Sequence, residues 1–271
     1  MVKKALALSP KKTRFCPLFF SGNLQQGIEI AAILGYDGVE ISVCDPDALD
    51  ARAIKSMISD NGLEIVTLGT GQSFVDEGLF LVTDDERLLI RTLERIKKII
   101  CFAAEVGSKY ITLGGIRGKT VYSEHDEMLR RLADSTRQLA EFALDYSICL
   151  LIEPVNRYEV STIFRLEQAY SHMNDIKSDN VSLLYDVFHA NIEEKSILEP
   201  IEKYVKNIGV IHFADSNRLP PFGGHIPFYE IARCLKTLSY TSYVSIESMP
   251  IPEDYVAAKN AIGALNTIFE R

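Results

Sequence analysis

Three observations predict an α/β fold, a single (β/α)8 barrel over residues 1–271. Short apolar runs recur between amphipathic helical stretches, no linker-like segment interrupts them, and acidic or imidazole side chains close the later runs. A chain of 271 residues has the length that one such barrel takes as one domain.

The expected strands lie near residues 4–9, 37–43, 63–68, 109–114, 148–153, 181–187, 208–213 and 243–248. Several are continuously apolar, as in Cys149-Leu150-Leu151-Ile152, the pattern of a parallel strand covered on both faces. The helices between them have readable ends. Gly35 and Gly62 each close a helix just before a strand. Thr83 followed by Glu86 has capping-box spacing and opens a helix with apolar Leu89, Leu93, Ile96 and Ile100 that stops at Gly107. Ser123 and Asp126 open the next helix in a related way, and the last helix begins around Pro252–Glu253. A doubly wound open sheet is the rival fold. It needs fewer strands and a Gly-rich first turn, whereas Gly69-Thr70-Gly71 follows the third strand and has Phe74 at the third glycine position.

Composition narrows the function. There are 29 Lys+Arg against 37 Asp+Glu, a net charge of −8, which argues against nucleic acid as a partner. Five cysteines without a C-x-x-C spacing read as reduced thiols of a cytoplasmic protein. Ala5-Leu6-Ala7-Leu8 is too short for the apolar part of a signal peptide, and no run approaches a membrane span, so no membrane partner is expected.

Active sites of such barrels form where strands end. Strand five ends at Glu153, strand six at Asp186, strand seven at His212 with Asp215 just beyond, and strand eight at Glu247. Successive members are about one strand-plus-helix unit apart, so the side chains should arrive side by side at one rim. Taken singly, each has a plain reading: Glu153 as a surface or structural carboxylate, Asp186 as a cap, His212 as a hydrogen-bonded core histidine. Taken together, three carboxylates and an imidazole would repel without a cation, which predicts a divalent metal site. The oxygen-rich donor set suits Mn²⁺, with Mg²⁺ or Co²⁺ as alternatives, better than a thiolate-type zinc site.

The same residues carry a resemblance. Glu153-Pro154-Val155-Asn156-Arg157-Tyr158-Glu159 resembles the E-P-x-N-R-x-E signature of ketose 3-epimerases. Asp186-Val187-Phe188-His189-Ala190-Asn191-Ile192-Glu193-Glu194 and His212-Phe213-Ala214-Asp215-Ser216-Asn217-Arg218 are similar to their next two segments, and Ile246-Glu247 to the final strand. Gly69-Thr70-Gly71-Gln72, with Glu77-Gly78-Leu79 after it, looks most like 5-keto-L-gluconate epimerases. Over nearly the whole chain the sequence resembles the xylose-isomerase-like TIM-barrel sugar epimerase/isomerase superfamily, D-tagatose 3-epimerase type included.

The resemblance implies metal ligation by Glu153, Asp186, His212 and Glu247, with Glu153 and Glu247 also the acid/base pair. It implies that His189 and Arg218 hold the oxygen beside the reacting carbon and that Glu159 supports the substrate; Gln72, in the loop after the third strand, is a further candidate substrate contact. The expected enzyme is a metal-dependent epimerase of a free ketose or keto sugar acid. The alternatives are an aldose–ketose or inosose isomerase, a sugar-phosphate epimerase, or a non-enzymatic sugar-binding protein. An abasic-site endonuclease of the same superfamily needs a histidine-rich three-zinc cluster, and only His189, His212 and His225 fall near the rim. Relatives often form homodimers or homotetramers, an assembly that this sequence leaves open.

Supporting residues have plain readings too. Arg218 reads otherwise as a surface cation, Gln72 as a turn stabiliser, Glu159 as a partner of Arg157, and Glu193-Glu194 as a solvated pair. His125 and His172 lie in helical patterns and read as surface residues. Two departures from the family pattern stand out. After Arg218 the family reads x-x-P-G-x-G-H-x-D-F, and here the first glycine is Phe222 and the acid is Pro227. A different loop path or pocket lining is therefore expected there. The run Leu113-Gly114-Gly115-Ile116 before Arg117-Gly118 is also less apolar than the family's.

Overall fold

A computed structural model describes residues 2–14, 17–120 and 124–270. Its strands are β1 (Lys3–Leu8), β2 (Gly38–Ser42), β3 (Glu64–Gly69), β4 (Tyr110–Leu113), β5 (Cys149–Ile152), β6 (Val181–Asp186), β7 (Ile208–Phe213) and β8 (Tyr243–Ile246). They pair in sequence order, all parallel, and β8 pairs back onto β1 to close the barrel. The (β/α)8 architecture is the one expected, with strand positions close to those read from the apolar runs.

Ten α-helices are found among the described residues: α1 (Leu24–Leu34), α2 (Ala51–Asp60), α3 (Gly71–Glu77), α4 (Glu86–Val106), α5 (His125–Leu144), α6 (Leu166–Ile176), α7 (Val187–Glu193), α8 (Leu198–Tyr204), α9 (Phe228–Thr237) and α10 (Asp254–Glu270). The eight expected units are present. The additional helices are single short ones: α3 follows β3, and β6 is followed by α7 and α8 in succession. Gly35 and Gly107 end α1 and α4 in the left-handed conformation at φ 83° and 88°, where a Cβ would be strained. The cap of α4 differs from expectation. Asp85, not Thr83, accepts the N–H groups of Arg87 and Leu88, while Thr83 Oγ1 accepts that of Asp85. A carboxylate at that position also meets the positive end of the helix dipole. Ser123, expected to open α5, lies outside the described residues.

Two apolar layers hold the barrel. Outward side chains such as Leu6, Val39, Ile111, Leu150 and Ile211 pack against the helices in one continuous core. Inside, Ala5, Val66, Leu151, Leu184, Val210 and Tyr243 form a separate small cluster. Strand side chains alternate faces with a period of two. Residues two positions after Leu151, Leu184 and Val210 therefore face the same interior, one step nearer the C-terminal rim. They are Glu153, Asp186 and His212. The β6–β7 register sets Asp186 directly opposite His212, after an irregularity between Leu183 and Leu184.

Candidate metal centre and active site

The strand ends bring four side chains together on top of the small interior cluster. Glu153, Asp186, His212 and Glu247 are all buried, and their ligand atoms lie within 4.8 Å of one another. His212 Nδ1 stands 3.6 Å from Glu153 Oε1, 3.9 Å from Asp186 Oδ2 and 3.5 Å from Glu247 Oε2. It is also a buried nitrogen with no hydrogen-bond partner among the described residues. On the far edge of the ring, His212 Nε2 lies 2.9 Å from Glu40 Oε2. With the ring proton on Nε2, donated to Glu40, the Nδ1 lone pair faces the three carboxylates, as a metal ligand requires.

The electrostatics of the cluster favour a cation. Burial raises the Glu153 carboxyl to about 8, helped by the charges of Glu247 and Asp186 and opposed by His212 and Arg117. Burial disfavours charge on His212, yet Glu40 and Glu247 outweigh it and raise its pKa well above the usual histidine value. The group of carboxylates thus draws protons to itself, and a divalent cation would supply the same compensation. Together with the orphaned Nδ1 and the mixed O/N donor set, this shows that the residues present fit a divalent metal.

Asp186 resolves its two readings by using one oxygen for each. Oδ1 accepts the Phe188 N–H at 2.8 Å and caps α7, while Oδ2 faces the cluster and accepts from Arg218 Nη1 at 2.6 Å. Burial opposes ionisation of Asp186, but Arg218, His189 and His212 together hold it below its usual value. The second Arg218 nitrogen donates to Glu247 Oε2, and the guanidinium carbon sits 4.5 Å over the Phe188 ring. Arg218 is therefore built into the centre and is not a surface cation.

His189 and Glu159 form an adjoining layer around Asn156. The Asn156 amide lies 2.8 Å from both His189 Nδ1 and Glu159 Oε1. Donation to Nδ1 places the histidine proton on Nε2, which lies 3.6 Å from Asp186 Oδ2. Burial, with Arg218 adding to it, keeps the His189 pKa low, so the ring is a neutral donor. Above these groups is a cavity of about 180 Å³ whose lining includes Glu153, Glu159, His189, His212 and Glu247, with Phe74, Val75 and Val155 as its apolar wall.

Several residues sit elsewhere than their sequence context suggested. Gln72 is fully buried, donates to Ser9 Oγ at 2.5 Å and does not line the cavity, although Gly69 and Gly71 beside it do. Arg157 pairs with Glu193 at 2.7 Å and not with Glu159. Glu194 accepts the Leu166 N–H at the start of α6, so the acidic pair fastens neighbouring loops and is not simply solvated. His225 is exposed and bonds Ser216 Oγ, and Asp215 organises the same loop through the N–H groups of Ser216 and Ile226. Phe222 takes φ 74°, so it occupies the glycine conformation in spite of its Cβ. Its ring packs at 6.3 Å on Phe228 and 5.4 Å on Tyr229 and is absent from the cavity lining.

Three contributors escaped the sequence reading. Glu40 carries a signal, a lone charge between Val39 and Ile41 in an apolar strand. Asn156 had no assigned task within its motif. Arg117 is completely buried and donates to the carbonyls of Leu113, Glu153, Thr162 and Ile163, which ties the backbone of Glu153 to the β4 loop. Gly114 beside it leaves the space this carboxylate occupies, since a Cβ there would lie 1.9 Å from Glu153 Oε2 and the side chain would have to shift.

Comparison with known proteins agrees with this architecture. D-psicose 3-epimerase of Agrobacterium fabrum is similar to this chain, at 28% identity over 233 residues, 81% of this chain and 77% of that protein. The 3-dehydro-D-guloside 4-epimerase of Escherichia coli K12 is similar at 28% over 248 residues, 87% of this chain and 91% of that one. A solved L-ribulose 3-epimerase shares the fold with a TM-score of 0.88, covering 100% of this chain and 95% of that chain at 22% identity. A family model described as xylose isomerase-like TIM barrel matches residues 28–264. The chain belongs to the xylose isomerase-like TIM barrel family.

Proposed function

We propose that this protein is a divalent-metal-dependent carbohydrate epimerase that inverts C3 of a free ketose. The observation that carries the reading is the placement of Glu153 and Glu247. They come from β5 and β8, which are not neighbours in the barrel, and their oxygens stand 3.6 and 3.5 Å from the same His212 nitrogen at the cavity floor. Epimerisation beside a ketone removes a proton from one face of the carbon and returns one to the other, which two fixed carboxylates can perform. One of the two carboxylates takes the proton from its side of the carbon and the other returns one from the opposite side. The roles exchange for the reverse reaction.

A divalent cation held by Glu153, Asp186, His212 and Glu247 would supply Lewis-acid stabilisation of the negative charge that develops on the substrate oxygens. Mn²⁺ is the metal we assign, on the hardness of three carboxylate donors and one imidazole. His189, as a neutral Nε2–H donor, holds a substrate oxygen beside the reacting carbon. Arg218 holds Asp186 and Glu247 in place, and Glu159 receives a hydroxyl. Among the described residues that line the cavity there is no lysine or arginine, and Arg218 beside it is already paired with Asp186 and Glu247, so a phosphate or carboxylate on the substrate finds no unpaired cationic side chain there. That supports a free ketose over a keto sugar acid or a sugar phosphate. The names of the relatives, a D-psicose 3-epimerase and a 3-dehydro-D-guloside 4-epimerase, support epimerisation over aldose–ketose isomerisation.

The test is a Mn²⁺-supplemented assay over free ketoses, keto sugar acids and pentulose phosphates, with product analysis in heavy water. Turnover of a free ketose with solvent deuterium at C3 and the ketone unmoved is expected. Glu153→Gln and Glu247→Gln should each lower kcat by about 10²–10⁴ with the circular dichroism unchanged. Full activity in either variant sinks the assigned pair.

A further inference from the structure

Glu40 is the buried carboxylate that the proposed chemistry leaves without a task. It sits in the middle of β2, where every residue is buried, and is itself 2% exposed. Isolated charge in such a strand is expensive, and a Val or Leu there would extend the apolar interior at no such cost. Its partner is not on an adjoining strand. Oε2 reaches across the barrel interior from β2 to Nε2 of His212 on β7, at 2.9 Å. It meets the ring on the edge away from Glu153, Asp186 and Glu247, which stand around Nδ1.

We propose that Glu40 is the positioning residue of the metal centre, fixing the tautomer and ring plane of His212 and thereby setting the metal affinity of the site. The inference rests on the reading of the four-residue cluster as a metal centre. A neutral imidazole has two tautomers, and only the one protonated on Nε2 offers the Nδ1 lone pair to a cation. A carboxylate acceptor on Nε2 selects that tautomer, stops the ring from rotating about its Cβ–Cγ bond, and makes Nδ1 a stronger donor. The pairing cannot be met locally, because β2 neighbours β1 and β3 and not β7.

The experiment is a Mn²⁺ titration of the metal-stripped protein, following free aqueous Mn²⁺ by electron paramagnetic resonance. Wild type, Glu40→Leu, Glu40→Asp and Glu40→Gln are compared, each checked for its fold by circular dichroism and thermal unfolding in chelator. Leu removes the acceptor and should weaken Mn²⁺ binding by about 10–100-fold. Asp keeps the charge but retreats from the ring and should also bind more weakly. Gln keeps an acceptor oxygen at the same reach and should recover most of the affinity. Turnover lost by the Leu and Asp variants at limiting Mn²⁺ should return as Mn²⁺ is raised, a dependence that a purely structural role would not produce. Wild-type affinity in the Leu variant, or in Asp should Leu not fold, overturns the proposal, as does a Gln variant as weak as Leu. A wild-type protein that binds no Mn²⁺ overturns the metal reading itself, which keeps the two failures apart.

Discussion

At the scale of single residues, the site depends on small side chains as much as on charged ones. Gly114 leaves the space that Glu153 Oε2 occupies, for a methyl at that position would stand 1.9 Å from the oxygen. Gly114→Ala should therefore push the Glu153 carboxylate out of the cluster, weakening Mn²⁺ binding and turnover by at least about tenfold while the barrel stays folded. Calorimetric Mn²⁺ titration checks this, and wild-type affinity would show that the loop yields instead. The charges at the strand ends were legible in sequence because a polar residue closing an apolar strand is conspicuous. The partners of those charges were not. Arg157 chose Glu193 over Glu159, and Gln72 turned to Ser9, because local spacing says nothing about which loops meet at the rim.

At the scale of elements, helix ends and strand positions were readable, since caps and apolar periodicity are local. The α4 start lies two residues later than the capping-box spacing places it, because Asp85 accepts the Arg87 and Leu88 N–H groups and adds a charge at the helix start, while Thr83 accepts only the N–H of Asp85 itself. His172 shows the limit of periodicity. Read as a surface residue, it is buried on α6, with Nε2 3.4 Å from Thr136 Oγ1 of α5. Burial, with Arg117 and Arg137 adding to it, lowers its pKa to about 4, and Asp175 opposes. In the unfolded chain the same ring titrates near 6.5. Between these values the unfolded state binds the extra proton, so stability is full above about pH 6.5 and falls as the pH drops toward 4. The loss from this one group is roughly 3 kcal/mol at the acid end. Urea unfolding of wild type and His172→Gln from pH 4 to 7 checks the sign. The difference between the two curves should grow in favour of wild type as pH rises, and parallel curves would refute the assignment.

At the scale of the whole molecule, the barrel would couple metal binding to folding, because the four candidate ligands converge only when β5, β6, β7 and β8 are in register. A cation that binds only the folded state stabilises it by about 2.7 kcal/mol at a hundredfold excess over Kd. Mn²⁺ should raise the unfolding temperature and chelator should reverse it. An unfolding temperature indifferent to both would count against the site. The amino-acid sequence by itself determined the eight strands, their order, and the polar residues at the ends of four of them. Each of these rests on local propensity and on a period of two or 3.6 residues. Closure of the ring decided the rest. It placed Glu40 against His212, 172 positions apart in sequence, and built Arg218 between Asp186 and Glu247. Contacts across a barrel interior join residues with no shared periodicity, so only the folded ring specifies them.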